Sequence, residues 1–224
     1  MSEYPPFKMP LDEAIRTQRS IRRVTRETVD DRLLLDIIEL GTHSPNTRNA
    51  QDWEFMIIKD PVVKKQLAKQ NYFLYKLIKK SEEKKAQNNP SHQKINEALH
   101  WAAENFEYYP AMIIACYRGG RMGWPLLVIT SLFASIFPAV QNILLAARSV
   151  GLGANLATMP LWNNRKCRKI LGLPPTITPA ALITIGWPQG SYGPISRKPV
   201  GEVVSFNTYG NRPWSKQINR DSTL

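Results

Sequence analysis

From Ser131 to Ala147 the chain carries no ionisable side chain. Phe133, Phe137, Val140, Leu144 and Ala147 recur at helical spacing, and Ile136, Ile143 and Leu145 extend the apolar surface nearly all round. A helix without a polar face has to be buried, in a protein core or in a membrane. The run from Trp124 to Ala147 is long enough to raise the membrane reading. Pro125, Pro138, the adjacent Gln141 and Asn142, and Arg148 argue against a span, as does the lack of an aromatic belt at both ends. No stable membrane insertion is therefore expected. Gly151 is expected to stop the helix, and Leu152 to Met159 reads as extended and mostly apolar.

A core helix of this kind needs a sizeable fold around it, and 224 residues supply one large domain or two small ones. The formal net charge is +12, which biases the surface toward anions: nucleic acid, acidic membranes or phosphorylated small molecules. Cys116 and Cys167 are the only cysteines and form no CxxC, so a reducing, cytoplasmic setting is expected. The N-terminal residues show no apolar segment of the secretory type.

Along the chain, Leu11 to Arg19 reads as a short helix opening at Asp12. Gln18-Arg19-Ser20-Ile21-Arg22-Arg23 follows. Its arginine forks and hydroxyl suit phosphate oxygens, although such a run alone is more often a solvated turn. A helix over 32–40 is expected, capped by Asp30 or Asp31 and ended by Gly41. The loop from Thr42 to Gln51 is dense in turn formers and amides, and leads into a strand from Trp53 to Ile58. Val62 to Ala86 reads as a basic helix. A charge run of this kind is ordinarily a solvated face, with a membrane-surface or anion-binding role as the alternative. Ser91 is expected to cap a second helix to about Phe106. Apolar strands are expected at Ala111–Tyr117 and Ala180–Gly186, a glycine-rich loop at Arg118–Pro125, and a short basic helix at Asn163–Leu171. The stretch from Trp187 to Trp214 reads as an extended arm.

Several chemistries lack their signatures. The three histidines have no metal-ligand spacing, and there is no Walker A, GxSxG or Cys–His pattern. Gly151-Leu152-Gly153 leaves a helix rather than a strand, so a Rossmann reading fails. Enzyme chemistry would have to come from an organic cofactor.

Four pieces line up in one order and resemble the FMN-dependent nitroreductase family. They are Gln18-Arg19-Ser20-Ile21-Arg22, against an RRSxR turn; Ser44 to Trp53, against an (A/S)PSxxNxQPW loop; Gln141 to Gly153, against a QNxLLAAxxxGLG helix; and Ser196-Arg197-Lys198-Pro199, against an SRxP arm. The chain departs from the pattern at Gln18, at Asp52, and at Thr158 and Met159, where many members have a glycine pair. The resemblance implies a single α+β domain over 1–224, with a central, mostly antiparallel sheet flanked by helices, a variable lid region at 62–130 and a C-terminal arm at 187–224. It implies an intertwined homodimer with the apolar helix at the interface. It implies that Arg19, Ser20, Arg22 and Arg197 hold the phosphate and ribityl chain of FMN. Ser44, Pro45, Asn46 and Asn49 would contact the ribityl and ring, often from the other subunit, and Leu156, Ala157, Thr158 and Met159 would run beside the ring. NAD(P)H would deliver hydride to flavin N5, and a nitroaromatic, quinone or similar small-molecule acceptor would take its place, with no catalytic side chain and no metal. Relatives with specialised flavin chemistry, reductive dehalogenation or flavin fragmentation, are the enzymatic alternative. A nucleic-acid or anionic-membrane binder is the alternative from another class; it accounts for the lysines but not for the four ordered motifs.

Overall fold

The computed structural model describes residues 7–87, 89–119, 126–193 and 195–215, in two compact units, Met1–Tyr192 and Gly193–Leu224. The first unit is built on a four-stranded antiparallel sheet. Its strands are β1 (Trp53–Ile58), β2 (Ala111–Arg118), β3 (Gly153–Ala157) and β4 (Ile177–Gly186), in the order β1-β2-β4-β3. Successive residues of the central strand β2 serve two cores. Ala111, Ile113 and Ala115 face one layer of helices, and Met112, Ile114 and Cys116 face another. Between Ala115 and Cys116 the register shifts, opposite Pro179, which a regular central ladder would not accommodate.

The first layer contains α2 (Asp31–Thr42) and α5 (Leu126–Ser149). Ile136, Val140, Ile143 and Ala147 of α5 meet Leu33, Leu34 and Ile37 of α2 over the sheet. Asp30, rather than Asp31, caps α2, its Oδ1 accepting from Arg32 N at 2.7 Å. Gly41 does not end α2 as expected; it lies inside the helix. A Cβ there would sit 2.6 Å from Ile143 Cγ1, so this glycine is a close-approach residue between α2 and α5. Pro138 lies inside α5 and leaves the Ala134 carbonyl without its helical donor. Gly151 takes φ +84° just past the helix. Within α5, Ile129–Ser149 is long and apolar enough to cross a membrane, and 33% of its most apolar window is buried in this chain. Thr130, Phe133, Ala134 and Gln141 are exposed along one stripe with half-buried Phe137 and Leu145.

The opposite layer holds α3 (Pro61–Ala86), α4 (Pro90–Glu104) and α6 (Asn164–Leu171). Asp60 caps α3 through Val63 N at 2.9 Å, with Pro61 in the first turn. Ser91 falls inside the first turn of α4 rather than before it; Asn89 Oδ1 accepts from the first-turn N–H of His92 at 3.2 Å, and α4 stops at Glu104 rather than Phe106. Helix α1 (Leu11–Thr17) begins directly after Pro10 instead of at Asp12. The extended segment expected to reach Met159 ends earlier: β3 stops at Ala157, and Met159–Leu161 forms a 3-10 turn closed by Leu161 N on Thr158 O at 2.9 Å. The glycine-rich loop falls largely outside the described residues, as do Trp124 and Pro125.

The second unit contains a single turn of helix, α7 (Val200–Val203), and an edge-on contact of Phe206 with Trp214 at 5.6 Å. Gly201 packs directly on the Trp214 carbonyl.

Gly41→Val should overpack the α2–α5 contact and cost about 1–3 kcal/mol. Urea unfolding should show a lower midpoint at an unchanged slope.

Candidate cofactor-binding site

Residues 20–25 run as an extended segment stitched on two sides. Ser20 pairs in parallel with Ala154 of β3, and Ile21 N donates to Ala154 O at 3.1 Å. Val24 pairs with Pro188, Thr25 N donates to Trp187 O at 2.7 Å, and Gln189 N donates to Arg23 O at 3.1 Å. A third tie comes from below: Tyr109 Oη donates to Arg22 O at 2.6 Å. Gly153 makes the closeness possible, because a Cβ on it would meet Ile21 Cγ2 at 2.6 Å. A turn that would be solvated on composition alone is therefore held rigidly against the edge strand of the sheet.

Arg22 is half-buried, while Arg19 and Ser20 are exposed. Burial pulls the Arg22 guanidinium below its ordinary value; Tyr109 acts the other way, and the nearby Arg19 cation adds to the depression. Among the described residues no carboxylate forms an ion pair with it. A partly desolvated cation with a second cation beside it and no acid is the arrangement of an anion site. Arg19 also makes contacts of its own.

Continuing along β3, Asn155 is buried beside Thr184, and its Oδ1 has no hydrogen-bond partner among the described residues. Leu156 and Thr158 are exposed and Ala157 and Met159 half-buried, so the strip expected to lie along a ring is accessible. The arginine turn and this strip share one edge of the sheet. Asn155 and Tyr109 escaped the sequence reading. The available signals were a lone amide in an apolar strand and a tyrosine just before another.

The second half of the expected site is elsewhere. Ser44 is buried and its Oγ lacks a partner among the described residues. Pro45 and Asn49 are exposed and Asn46 half-buried. Asn46 Oδ1 accepts from Gln51 N at 2.9 Å, while Arg48, Asn49 and Gln51 all take left-handed φ between 50° and 57°. Thr47 fastens this loop to α5: its N donates to Ser135 Oγ at 3.1 Å. A cleft of about 420 Å³ opens here, walled by Asn46, Thr47, Trp53, Tyr117, Ser131 and Ile136. The loop enters β1 at Trp53, whereas the arginine turn pairs with β3 at Ala154. β1 and β3 are the two outer strands. Trp53 pairs with Tyr117 at one end of β2, while Ala154 and Ala111 both pair with Ile185 at the other. The halves thus occupy opposite corners of the sheet, about 14 Å apart across the strands and a further ~20 Å along them. Arg197 belongs to the second unit, where it is exposed and donates through Nη1 to Ser196 O at 2.8 Å. Among the described residues no group of acidic, histidine and cysteine side chains could hold a metal ion.

The profile of the nitroreductase family matches residues 15–187. The chain belongs to the nitroreductase family. Human iodotyrosine deiodinase 1 is 22% identical over 200 residues, covering 86% of this chain, which spans 66% of that relative's length. An NADH dehydrogenase of Thermus thermophilus is 24% identical over 201 residues, covering 84% of this chain and 91% of the relative. Among solved structures, a candidate nitroreductase from Desulfovibrio desulfuricans in complex with FMN is 26% identical, with a TM-score of 0.63, covering 90% of this chain and 99% of that one. These likenesses agree with the antiparallel α+β fold described above.

Burial pushes the Tyr109 phenol up to about 12, against smaller opposing effects from its bond to Thr184 and from Arg22. Its neutral form is favoured in the folded state. The resulting stability is complete below the ordinary phenol value near 10 and is lost as pH rises through about 12. Tyr109→Phe should cost roughly 0.5–1.5 kcal/mol at neutral pH through the lost bond. Denaturant midpoints measured from pH 8 to ~12 should fall less steeply for this variant than for the parent protein.

Proposed function

We propose that the protein is an FMN-dependent oxidoreductase using NAD(P)H. The observation that carries this is the half-buried Arg22, fixed at three points of its segment, with no carboxylate against it and an accessible strip of β3 beyond it. The residues present fit a flavin mononucleotide: cations for a phosphate at one end, and unpartnered amide and hydroxyl oxygens, Asn155 Oδ1 and Ser44 Oγ, for polar groups of a ligand. When bound, FMN supplies hydride-transfer chemistry between the nicotinamide and a nitroaromatic, a quinone or a similar acceptor. The chain's own part is binding and positioning. Arg19, Ser20 and Arg22 hold the phosphate end. Leu156, Ala157, Thr158 and Met159 line the ring. Ser44, Pro45, Asn46 and Asn49 complete the site from a second copy of the chain.

The diagonal separation of the two halves is the support for that last assignment, since one copy does not bring them to one ligand. The apolar exposed stripe of α5, with Phe133, Ala134 and Phe137, supplies the surface for a homodimer. Reductive dehalogenation is a second reading, favoured by the likeness to iodotyrosine deiodinase 1. Turnover screening with nitroaromatics, quinones and an iodotyrosine separates the two.

Arg22→Ala should weaken FMN binding by about ten- to a hundredfold with the fold retained, the usual effect of losing a charged hydrogen bond. Flavin fluorescence quenching on titration measures it, and unchanged affinity would remove Arg22 from the site. The shared site has its own test. Chains carrying Arg22→Ala and chains carrying Asn46→Ala with Asn49→Ala should each bind flavin poorly. Unfolded together and refolded, they should regain about half of the sites in the mixed dimers, because one site then takes both intact halves. No recovery would mean that both halves act within one chain.

A further inference from the structure

On the sheet face opposite α5, α3 shows solvent a stripe that the flavin reading does not use. Lys69, Phe73, Lys76, Leu77, Lys80 and Lys84 follow one another at i, i+4, i+7, i+8, i+11 and i+15, which puts them on one side of the helix. All six are exposed; Phe73 is 50% and Leu77 65% open to solvent. Trp162, 46% exposed, extends the apolar part beyond the helix by stacking on Phe73 at 5.2 Å and 15°. Among the described residues none of the four lysines forms an ion pair. The acids of α3's last turns, Glu82 and Glu83, are bound to Lys85 at 2.7 Å and Lys79 at 3.8 Å. Glu104 and Glu107 lie across a groove from Lys65 and Lys69, at the far end of the stripe from Lys80 and Lys84.

We propose that this face binds peripherally to anionic lipid bilayers. Three features favour a lipid surface. The apolar side chains are the aromatic and branched ones that partition into the headgroup–acyl boundary, and the cations flanking them are all lysines, whose long stems let the ammonium stay at the headgroups. The chain's net charge of +12 draws it to such a surface over a Debye length. A single-stranded nucleic acid fits less well. It needs free ring faces for its bases, and here Phe73 and Trp162 each lose one face to the other while Lys76 lies over Tyr72 at 4.8 Å. The stripe is also separate from the α5 surface proposed for the dimer, since the sheet lies between the two layers, so docking and assembly do not compete.

The test is co-sedimentation of the full-length protein with large unilamellar vesicles, phosphatidylcholine alone or with phosphatidylglycerol. Binding to the anionic vesicles is expected, weakening as salt rises from about 20 to 300 mM and the Debye length contracts below ~10 Å. Each lysine at an anionic surface is worth about fivefold, so Lys76→Glu with Lys80→Glu should cut binding at least tenfold. Phe73→Ser with Leu77→Ser should do the same through the lost apolar contact. Arg16→Glu with Arg32→Glu, an equal charge change on α1 and α2, should leave most of it; circular dichroism checks that every variant is folded. The proposal is overturned by absent binding, by equal binding to neutral vesicles, by an equal loss in the Arg16/Arg32 control, or by an oligonucleotide that displaces the vesicles at lower concentration.

Discussion

Everything in the first unit depends on α5 lying flat across one face of the sheet. Ile136, Val140, Ile143 and Ala147 cover Ile113, Ile183 and Ile185, and α2 can reach the same surface only because Gly41 lacks a Cβ where Ile143 passes. That contact fixes the start of the loop at Ser44, whose N donates to Gly41 O at 3.2 Å. Thr47 then ties the loop back to α5 through Ser131 and Ser135. At its other end α5 leads through Gly151 into β3, against which the arginine turn is laid. One buried helix therefore positions both halves of the candidate site, at the two ends of its length.

Much of this was legible because apolar patterning is local. The bounds of β1 matched the expectation residue for residue, and β2, β4, α3 and α6 shifted by a few positions at most. What sequence reasoning missed was tertiary. Gly41 reads as a helix terminator, since a glycine after an apolar run is usually one; the helix runs one residue past it, and its close approach to Ile143 is a tertiary contact. Ser91 reads as the cap, but α4 begins at Pro90 and the His92 N–H is taken by Asn89. At Met159 the apolar run continued while the backbone turned, because the 3-10 bond from Leu161 N to Thr158 O is invisible to hydropathy.

The site shows the same division. Arginine and serine within a short span identify an anion-binding composition, and the order of four motifs identifies the family. That Arg22 would be half-buried while Arg19 stays exposed depends on Tyr109 and Ala154, both remote in sequence. The orphaned Asn155 Oδ1 and Ser44 Oγ are likewise properties of packing, not of residue type. Arg197 was readable only through its motif, and in the structure it belongs to a unit of its own.

The corner-to-corner arrangement of the arginine turn and the Ser44–Asn49 loop has a kinetic meaning. If two copies build the site, as proposed, it exists only while they are together, so dilution below the dissociation constant of the pair would silence the protein without unfolding it. Specific activity would then follow the fraction of chains paired, climbing with enzyme concentration before levelling off. A chain damaged only in its loop would still lend an intact arginine turn to a healthy companion, and would withhold from that companion the use of its own.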